Sequence, residues 1–287
     1  MDGELLRWLY HYLLGHGKAA ATPRCRYDEG LIVLIGLQAV LCNRSLRWAA
    51  SRQNWPIWCR RVLTFPSYSQ LRRRLLKPSA ARRVLELDRH LKTRLGCSDQ
   101  KVADGKPLTI GGFSKDRDAT RGHVPGGFAR GYRLHAVRDA ITGVIDVSAV
   151  TGLAAGEATV LRPMLRKMRL RGCVIRADAN YDSNALYAAA ALRRGRLIAP
   201  RRKPGRGLGH GQHHRHRLLA IAELESDPAH RRDHARRRSV AERTFADLGN
   251  RVGLFGLPNF VRRKHRVRKW VRAKIVLYHL ILLLGKT

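Results

Sequence analysis

The sequence predicts an α/β protein in which a mixed sheet flanked by helices is preceded by an all-helical N-terminal region. Three observations lead to this class. Residues 1–98 carry apolar side chains at helical spacing, and after Gly96 short segments typical of strands alternate with helical ones. The composition, 44% hydrophobic and 27% charged, is that of a globular chain able to form a core. We therefore divide the 287 residues into a helical region, 1–98, and an α/β region, 99–287.

The helical region is predicted from two apolar segments with a basic segment between them. Asp28 is suited to cap a strongly apolar helix that reaches residue 41, and residues 79–95 form a second helix with valine and leucines on one face. Between them lies FPSYSQLRRRLLKP, in which Ser67 or Ser69 can begin a short helix. The leucines of this short helix are predicted to face inward.

The basic segment is a candidate DNA-binding helix. Arg72, Arg73 and Arg74 are predicted to project outward from it. Helices with an arginine-rich outer face are what helix-turn-helix modules present to DNA, so we predict that these three arginines contact DNA. The alternative is a solvated basic face on a helical bundle.

The α/β region is predicted to contain elements in the order β-β-β-α-β-α-β. The strands cover residues 101–110, 132–138, 144–150, 172–177 and 196–199, and the helices cover 155–170 and 183–193. Because helical crossovers join parallel strands, this order implies a mixed sheet. Residues 200–232, rich in glycine and cations, predict a basic surface insertion with a short helix near 218–225. A last helix is predicted to begin near Asp233.

The charge of the chain points to a polyanionic partner. There are 57 lysines and arginines against 21 aspartates and glutamates, a formal net charge of +36, and nucleic acid is the default partner of such a chain. Residues 262–274 contribute eight cations, no acid and Trp270. We predict that this segment follows a DNA backbone, the alternative being an ordinary solvated helix face. Its predicted DNA-binding residues are Arg262, Arg263, Lys264, Arg268 and Lys269.

Other classes of protein are disfavoured by the sequence. The longest apolar stretch, residues 275–284, is far shorter than the roughly 20 residues of a membrane helix. The five cysteines are scattered without a CxxC pair, so neither a disulfide framework nor a zinc ribbon is predicted. No secretory leader is recognised, and we expect a cytoplasmic protein.

Three acidic residues lie where predicted strands and the last helix converge. Asp104 lies on the first strand in VADGKPL, Asp178 ends the fourth strand in CVIRADANYDS, and Glu242 lies on the last helix in RRRSVAERTF. Three convergent carboxylates repel one another unless cations lie between them, and Mg²⁺ is the natural choice because it accepts carboxylate, water and phosphate oxygens. Two such ions about 3.5–4 Å apart support an in-line phosphoryl displacement.

Each acid also has a structural alternative. Asp104 precedes Gly105, and Asp-Gly is a strong turn signal. Asp178 competes with Asp182, which we assign to the N-cap region of the following helix because Ser183 comes next. Glu242 and Arg238 are four residues apart and can form an ordinary surface ion pair.

The motifs around these acids resemble those of DDE transposases of the bacterial insertion-sequence type. The motifs FPSYSQLRRRL, ADGKPL, RGYRLHAVRD, RADANYDS and RRRSVAERTF follow the family's order over roughly residues 28–284. The resemblance implies a ribonuclease H-like catalytic domain preceded by a DNA-binding region. It further implies that Asp104, Asp178 and Glu242 form the catalytic triad and hold two Mg²⁺ ions, or Mn²⁺ in their place. Arg238, one helical turn before Glu242, matches the arginine that accompanies the glutamate in the family.

The same resemblance implies a reaction and its partners. The protein would cut the ends of a mobile element and join them to target DNA. Its partners would be double-stranded DNA, as terminal inverted repeats and target sites, and a second copy of the chain in a homodimer. Its location would be the bacterial cytoplasm, at the nucleoid.

Two other functions stay open at this stage. A basic DNA-binding protein without catalysis needs the charge but not the three acids, and a metal-dependent nuclease would cut without joining. An inactive transposase copy belongs to the first class. It is considered because Ala235 and Gly249 stand where the related signature has a tyrosine and a lysine, with Arg251 the nearest cation to the second position.

Overall fold

The computed structural model describes residues 2–15, 26–203, 206–208 and 211–285, and these form two compact units. Within the described ranges, the first unit holds the chain up to residue 94, residues 251–253 and everything from 272 onward. The second unit holds residues 95–250 and 254–271. The main division therefore lies close to the predicted one at 98/99. The C-terminal segment differs: we expected it in the α/β region, and it groups with the N-terminal helices.

The first unit is built from helices. In chain order they are α1 (Asp2–Tyr10) with a π-helical turn (His11–Gly15), α2 (Glu29–Leu41), α3 (Leu46–Ala50), a 3₁₀ turn (Arg52–Asn54), α4 (Ile57–Val62), α5 (Tyr68–Leu75) and α6 (Pro78–Leu95). Helix α2 is apolar on all sides and is buried over residues 30–40, as expected for a helix inside a core. Asp28 caps it as predicted, accepting a hydrogen bond from Gly30 N at 2.6 Å.

Ser67, and not Ser69, begins α5. Its Oγ accepts a hydrogen bond from Gln70 N at 3.3 Å, and Ser67 N donates in return to Gln70 Oε1 at 3.1 Å. This reciprocal pair is a capping box, which satisfies two backbone donors that the first helical turn leaves free. The local signal for this helix was therefore present in the sequence.

The end of the chain joins the first unit through buried polar groups as well as apolar ones. His279, fully buried, pairs through Nδ1 with Asp88 Oδ1 at 2.8 Å. The buried Lys274 donates from Nζ to the carbonyl of Val252, and its burial lowers the pKa of the ammonium to about 8. The contact of His279 with Asp88 of α6, together with the buried apolar residues after Lys274, accounts for the grouping of the C-terminal segment with the N-terminal helices. None of the helices in the described ranges is both long and apolar enough to cross a lipid bilayer.

The second unit contains a six-stranded mixed sheet. Its strands are β1 (Gln100–Thr109), β2 (Thr120–Val124), β3 (Gly127–Asp139), β4 (Ile145–Gly152), β5 (Val174–Arg176) and β6 (Arg196–Ile198). The order is β2-β3-β1-β5-β6, and β4 also pairs with β3. Strand β3 is antiparallel to its three neighbours, whereas β1, β5 and β6 are parallel. The predicted mixed sheet is therefore confirmed, with one strand more than predicted.

Strand β2 was missed because its sequence, TRGHV, lacks an apolar alternation. Only Gly122 in it is buried. A side chain at this position would meet the backbone of Leu153 at 2.8 Å, so the close approach of two chain segments requires glycine here. The pairing of β2 with the start of β3 therefore depends on a tertiary contact. The β-propensity of the local sequence does not predict such a contact.

Helices flank the sheet. They are α7 (Glu157–Leu165), α8 (Asn184–Leu192), α9 (Arg215–Ser226) and α10 (Pro228–Asn250). The last helix, α11 (Lys264–Leu284), has residues 264–271 in the second unit and the rest in the first. The core between α7, α8 and the sheet includes Leu161, Leu165, Ile175, Tyr181 and Tyr187, each at most 2% exposed.

The predicted insertion is more ordered than expected. Residues 204, 205, 209 and 210 of the predicted segment 200–232 lie outside the described residues. Beyond them the chain forms α9, and α10 begins at Pro228, before the predicted start near Asp233. Ala220, Ile221 and Leu224 of α9 are buried, and Glu225 pairs with Arg201 at 2.6 Å. Helix α9 therefore confirms the short helix predicted near 218–225 and is a few residues longer than predicted.

Candidate active site and nucleic-acid interface

Asp104 lies within β1 and not in a turn. It pairs in register with Ala136 of β3, and its Oδ1 accepts a hydrogen bond from Gly105 N at 2.8 Å. Burial raises the pKa of Asp104 to about 6, helped by the negative charges of Asp178 and Glu157 and opposed by the Gly105 N–H and Arg238. The Asp-Gly turn alternative is therefore wrong, and Asp104 is a partly desolvated carboxyl group close to other acids.

Asp178 follows β5 directly, where the chain leaves the sheet. It caps a 3₁₀ turn (Ala179–Tyr181), accepting hydrogen bonds from Asn180 N at 2.8 Å and Asn180 Nδ2 at 3.3 Å. Since β5 runs parallel to β1 and pairs with it, the end of β5 delivers this carboxylate toward Asp104, whose pKa its charge raises. The structure thus brings together the two aspartates predicted from the sequence.

Asp182, the alternative to Asp178 as a site residue, has a structural role, but this role is an ion pair and not the predicted helix cap. The N-cap position of α8 is Ser183. The side chain of Asp182 is only 2% exposed and pairs with Arg217, with Nε–Oδ1 at 2.6 Å and Nη2–Oδ2 at 2.7 Å. This bidentate pair ties the start of α8 to α9 and occupies both carboxylate oxygens.

Glu242 is placed differently from the two aspartates. It lies on α10, its side chain is 63% exposed, and it pairs with Arg238 Nη2 at 3.1 Å. Arg238 is less exposed, and its charge acts on Asp104. Among the residues that the structure describes, no three His, Cys, Asp or Glu side chains stand close enough together to hold a metal ion. The expected convergence of three carboxylates is therefore absent in this conformation, because Glu242 lies at the exposed flank of α10.

Glu157 is a buried acid near Asp104 that the sequence did not single out. It begins α7, its side chain is 9% exposed, and Arg133 Nη1 donates to its Oε1. Burial raises the pKa of Glu157, as does the charge of Asp178, while Arg133 and the side-chain amide of Asn180 oppose the shift. An acid in a first helical turn is an ordinary helix-stabilising residue, so only its tertiary neighbours mark Glu157 as unusual.

The predicted DNA-binding arginines of α5 do not all project outward. Arg72 and Arg73 are exposed, as predicted. Arg74 turns inward, where its Nη2 pairs with Glu29 Oε2 at 2.5 Å and its Nη1 donates to Tyr27 O at 3.2 Å. The outward orientation predicted for Arg74 is wrong because Glu29 begins α2 and neutralises the guanidinium.

This difference yields a test with matched variants. We expect Arg74→Gln to lower the free energy of unfolding by about 1–3 kcal/mol, because it removes a charge-assisted hydrogen bond to a half-buried carboxylate. The double variant Arg72→Gln/Arg73→Gln should leave stability unchanged. It should weaken DNA binding. It should also make the slope of the logarithm of the binding constant against the logarithm of the salt concentration shallower by about 0.9 for each phosphate that the variant no longer neutralises. Urea unfolding and fluorescence anisotropy at several salt concentrations measure both effects. Unchanged DNA binding in the double variant would contradict the assignment of α5.

The basic segment before and within α11 is anchored by two aspartates. Asp116 Oδ2 accepts from Arg263 N and Asp118 Oδ2 accepts from Lys264 N, both at 2.9 Å. Arg263 also pairs with Asp118 through its guanidinium at 3.3 Å. The two aspartates hold the start of α11 in place. Their negative charges also offset part of the positive charge of this basic segment. Among the predicted DNA-binding residues of this segment, the exposed ones are Arg262, Arg263, Arg268 and Lys269.

Trp270 is not available to bases. It is 9% exposed and packs edge-on against Phe260, with ring centroids 5.7 Å apart. The interpretation that gave Trp270 a part in a DNA-tracking surface is therefore wrong, since its indole belongs to the packing of the second unit. The predicted DNA interface of this segment therefore consists of its exposed cations, without Trp270.

The two departures from the family signature differ in their packing. Ala235 lies on the exposed side of α10. A Cβ added at Gly249 would lie 2.7 Å from Phe255 Cε1 and 2.9 Å from its Cδ1. A lysine at this position would require the Phe255 ring to move, so the glycine fits the local packing of this chain.

Comparison with known proteins gives a family match. A family model described as the Transposase DDE domain matches residues 96–281, a range that contains Asp104, Asp178, Arg238 and Glu242. Among solved structures, the chain is similar to the piggyBac transposase in a cryo-EM structure of a synaptic complex with hairpin DNA. The TM-score is 0.48 at 11% sequence identity, covering 99% of this chain and 72% of that chain. A search of curated proteins finds no match.

Proposed function

Because the chain belongs to the DDE transposase family, we propose that it cuts the ends of a mobile element and joins them to target DNA by phosphoryl transfer. The observation that carries the proposal is the pair Asp104 and Asp178. Two acids from neighbouring strands lie close enough for the charge of one to raise the pKa of the other. A folded protein tolerates such repulsion at a site that takes up cations or charged substrate.

Divalent cations fit the donors of this site. Carboxylate oxygens are the ligands that Mg²⁺ prefers, and Mg²⁺ commonly takes one or two of them and fills its remaining positions with water and phosphate oxygens. Asp104 and Asp178 would hold the ions in this proposal, with Glu242 as the third carboxylate and Mn²⁺ as a substitute metal. When bound, the ions would stabilise the negative charge that develops on the phosphate during transfer.

The exposed position of Glu242 is compatible with this role. Its ion pair with Arg238 is of the surface i,i+4 kind, which typically stabilises a helix by only about 0.3–0.5 kcal/mol. Rotation of the Glu242 side chain out of this pair therefore costs little. Arg238, whose charge already acts on Asp104, would steady either Glu242 or a phosphate of the DNA.

The remaining parts of the proposal concern fold and partners. We assign a ribonuclease H-like fold to the second unit, supported by its mixed sheet with a single antiparallel strand, β3, and flanking helices. The net charge of +36 and the exposed cations at 72–73 and 262–269 support double-stranded DNA as partner, both as element ends and as target. Since two ends must be joined together, a homodimer is the proposed working form.

The test is a cleavage assay on the DNA that flanks the gene of this protein. With Mg²⁺, the purified chain should cut at inverted repeats and leave 3′ hydroxyl ends that become joined to a plasmid. Binding without cutting would identify a DNA-binding protein without catalysis, such as an inactive copy. Cutting without joining would identify a nuclease. Either result overturns the proposal.

A further inference from the structure

A further basic segment connects Glu157 to Asp178. Residues 158–177 carry six lysines and arginines and no acidic residue. The segment includes most of α7 and all of β5, so it lies within the second unit. Two of its cations, Arg162 and Arg166, line a cavity of about 340 Å³. This volume is that of a small ligand pocket, since such pockets span roughly 300–1,000 Å³.

The cavity lies between α7 and the start of α8. Thr159 and the two arginines line it from the side of α7, and Ser183 lines it from α8. The other described lining residues are alanine, proline and leucine, so none of them is acidic. Helix α7 also contacts the 3₁₀ turn that Asp178 caps. Because Ser183 follows Asp178 by only five residues, the cavity lies next to the chain segment that leaves the acidic pair.

The two arginines of the cavity carry uncompensated charge. Arg162 lies in α7 and Arg166 is its C-cap residue, four positions later, so both project from one face, where like charges destabilise a helix. Both are exposed, and neither forms an ion pair or a hydrogen bond with another residue in the described ranges. The helix dipole favours a cation near a helix C-terminus, but it does not explain why both line one cavity. An anion in the cavity would relieve their repulsion.

Two hydroxyl groups of the cavity can donate hydrogen bonds to such an anion. Ser183 is the N-cap residue of α8, but its side chain makes no capping hydrogen bond, so its Oγ is not used by the helix. Thr159 is exposed on the opposite wall. Guanidinium and hydroxyl groups are common donors to phosphate oxygens, and arginine can bind such oxygens bidentately. Two arginines and two hydroxyls without a carboxylate therefore match a phosphate group.

We propose that this cavity binds a backbone phosphate of double-stranded DNA through Arg162 and Arg166, with Thr159 and Ser183 as hydroxyl donors. DNA is favoured over a free phosphate compound because both arginines are exposed to a large partner and the chain carries a net charge of +36. The inference rests on the proposed function, because it takes DNA as the partner. It adds a DNA contact next to the segment that follows Asp178, outside the basic segments of α5 and α11.

The test compares DNA binding by the full chain and by two double variants, in buffer without divalent metal. Arg162→Gln/Arg166→Gln removes the cations of the cavity. Arg169→Gln/Arg171→Gln is the matched control, since these arginines are exposed on the same segment but do not line the cavity. Fluorescence anisotropy of a labelled duplex at several salt concentrations gives the binding constants. Because phosphate contacts do not read sequence, a duplex from the flanking repeats and a random duplex should respond alike.

The cavity variant should lose affinity and salt dependence together. Each lost phosphate contact should weaken binding about tenfold at about 0.1 M salt. It should also make the slope of the logarithm of the binding constant against the logarithm of the salt concentration shallower by about 0.9. The control variant should stay within about twofold of the wild type, because salt screens exposed charges that do not contact DNA.

Ser183→Ala separates the hydroxyl contact from the charge. This variant should weaken DNA binding severalfold and leave the salt slope unchanged, because no cation is lost. Since the Ser183 side chain makes no capping hydrogen bond, the variant should keep the urea midpoint of the wild type.

Three results would overturn the inference. One is equal DNA binding by the two double variants. Another is a cavity variant with wild-type DNA affinity and lower stability, which would show that Arg162 and Arg166 only stabilise α7. The third comes from inorganic phosphate as a second probe: if phosphate raises the unfolding temperature of the wild type but not of the cavity variant, and DNA affinity is equal, the cavity binds a free anion. These assays do not measure cleavage, so a failure to cut or join DNA would overturn the proposed function alone.

Discussion

Replacing Asp104 by Asn is expected to reduce DNA cleavage and joining by about a thousandfold or more, with DNA affinity unchanged or higher. The substitution keeps the size of the side chain but removes the carboxylate that faces Asp178 and Arg238. It also removes a negative charge from a surface that must approach phosphates. Gel-based cleavage assays and fluorescence anisotropy on the same DNA measure the two effects separately.

The same variant should be more stable than the wild type at neutral pH. Burial raises the pKa of Asp104 from its ordinary value of 3.8 to about 6, so ionising it costs the folded state up to roughly 3 kcal/mol. This cost is absent below about pH 4 and complete above about pH 6. Asp104→Asn should therefore raise the unfolding midpoint at pH 8 and leave it unchanged at pH 4.

Asp178 and Asp182 provide a matched pair of controls. Asp178→Asn should abolish cleavage like Asp104→Asn. Asp182→Asn should instead lower stability, because it breaks the buried bidentate pair with Arg217. Normal cleavage by Asp104→Asn and Asp178→Asn, or a loss of cleavage in a stably folded Asp182→Asn alone, would contradict the assignment of the site.

Replacing Asp139 by Ala is expected to lower the free energy of unfolding by about 3–5 kcal/mol. Asp139 is fully buried at the end of β3. Its carboxylate accepts hydrogen bonds from Ile141 N at 2.9 Å, Thr142 N at 2.8 Å and Ser98 Oγ at 2.9 Å, and from Lys101 Nζ at 3.0 Å. Alanine would leave these donors buried without this acceptor, although Lys101 would keep Asp146 at 2.7 Å.

The effect of Asp139 should depend on pH. Burial favours the neutral acid, but the N–H groups of Thr142 and Ser98 and the ammonium of Lys101 outweigh it and hold the pKa of Asp139 well below its usual range. The ionised group therefore stabilises the fold fully above the unfolded-state pKa of about 3.9, and this contribution declines as the pH falls below that value.

Urea unfolding at pH 7 and pH 3 measures this dependence. The difference between the wild type and Asp139→Ala should be smaller at pH 3. Asp99→Ala, which changes an exposed aspartate just before β1, should stay within about 0.5 kcal/mol of the wild type. A difference that is equal at both pH values would show that the charge of Asp139 is not what stabilises the turn.

The fold could be predicted where apolar spacing reports burial. Strands β1, β3 and β4 and the helices α7 and α8 alternate or repeat in ways that the sequence displays. Strand β2 could not be predicted because tertiary packing overrides its composition. The contact of Gly122 with Leu153 decides this strand, and it is not visible from local sequence.

The residues of the candidate site likewise differ in whether local sequence or tertiary contacts determine their surroundings. Asp104 and Asp178 were predicted because they lie on strands whose ends converge in any parallel arrangement. Glu157 was missed because its environment depends on Gly105 and Arg133, both distant in sequence. Arg74 was misjudged for a related reason, since its partner Glu29 lies 45 residues earlier in the chain. Long-range ion pairs are set by the tertiary fold and leave no local pattern.

Joining of pre-cut DNA ends tests the central claim most directly. Short duplexes that end in the inverted repeats flanking the gene, each with a free 3′ hydroxyl, are incubated with the purified chain, Mg²⁺ and a supercoiled plasmid. We predict joined products with the wild type, none with Asp104→Asn, and none when the 3′ end is blocked. Binding of the duplexes by the wild type without any joined product, or equal joining by Asp104→Asn, would contradict the account.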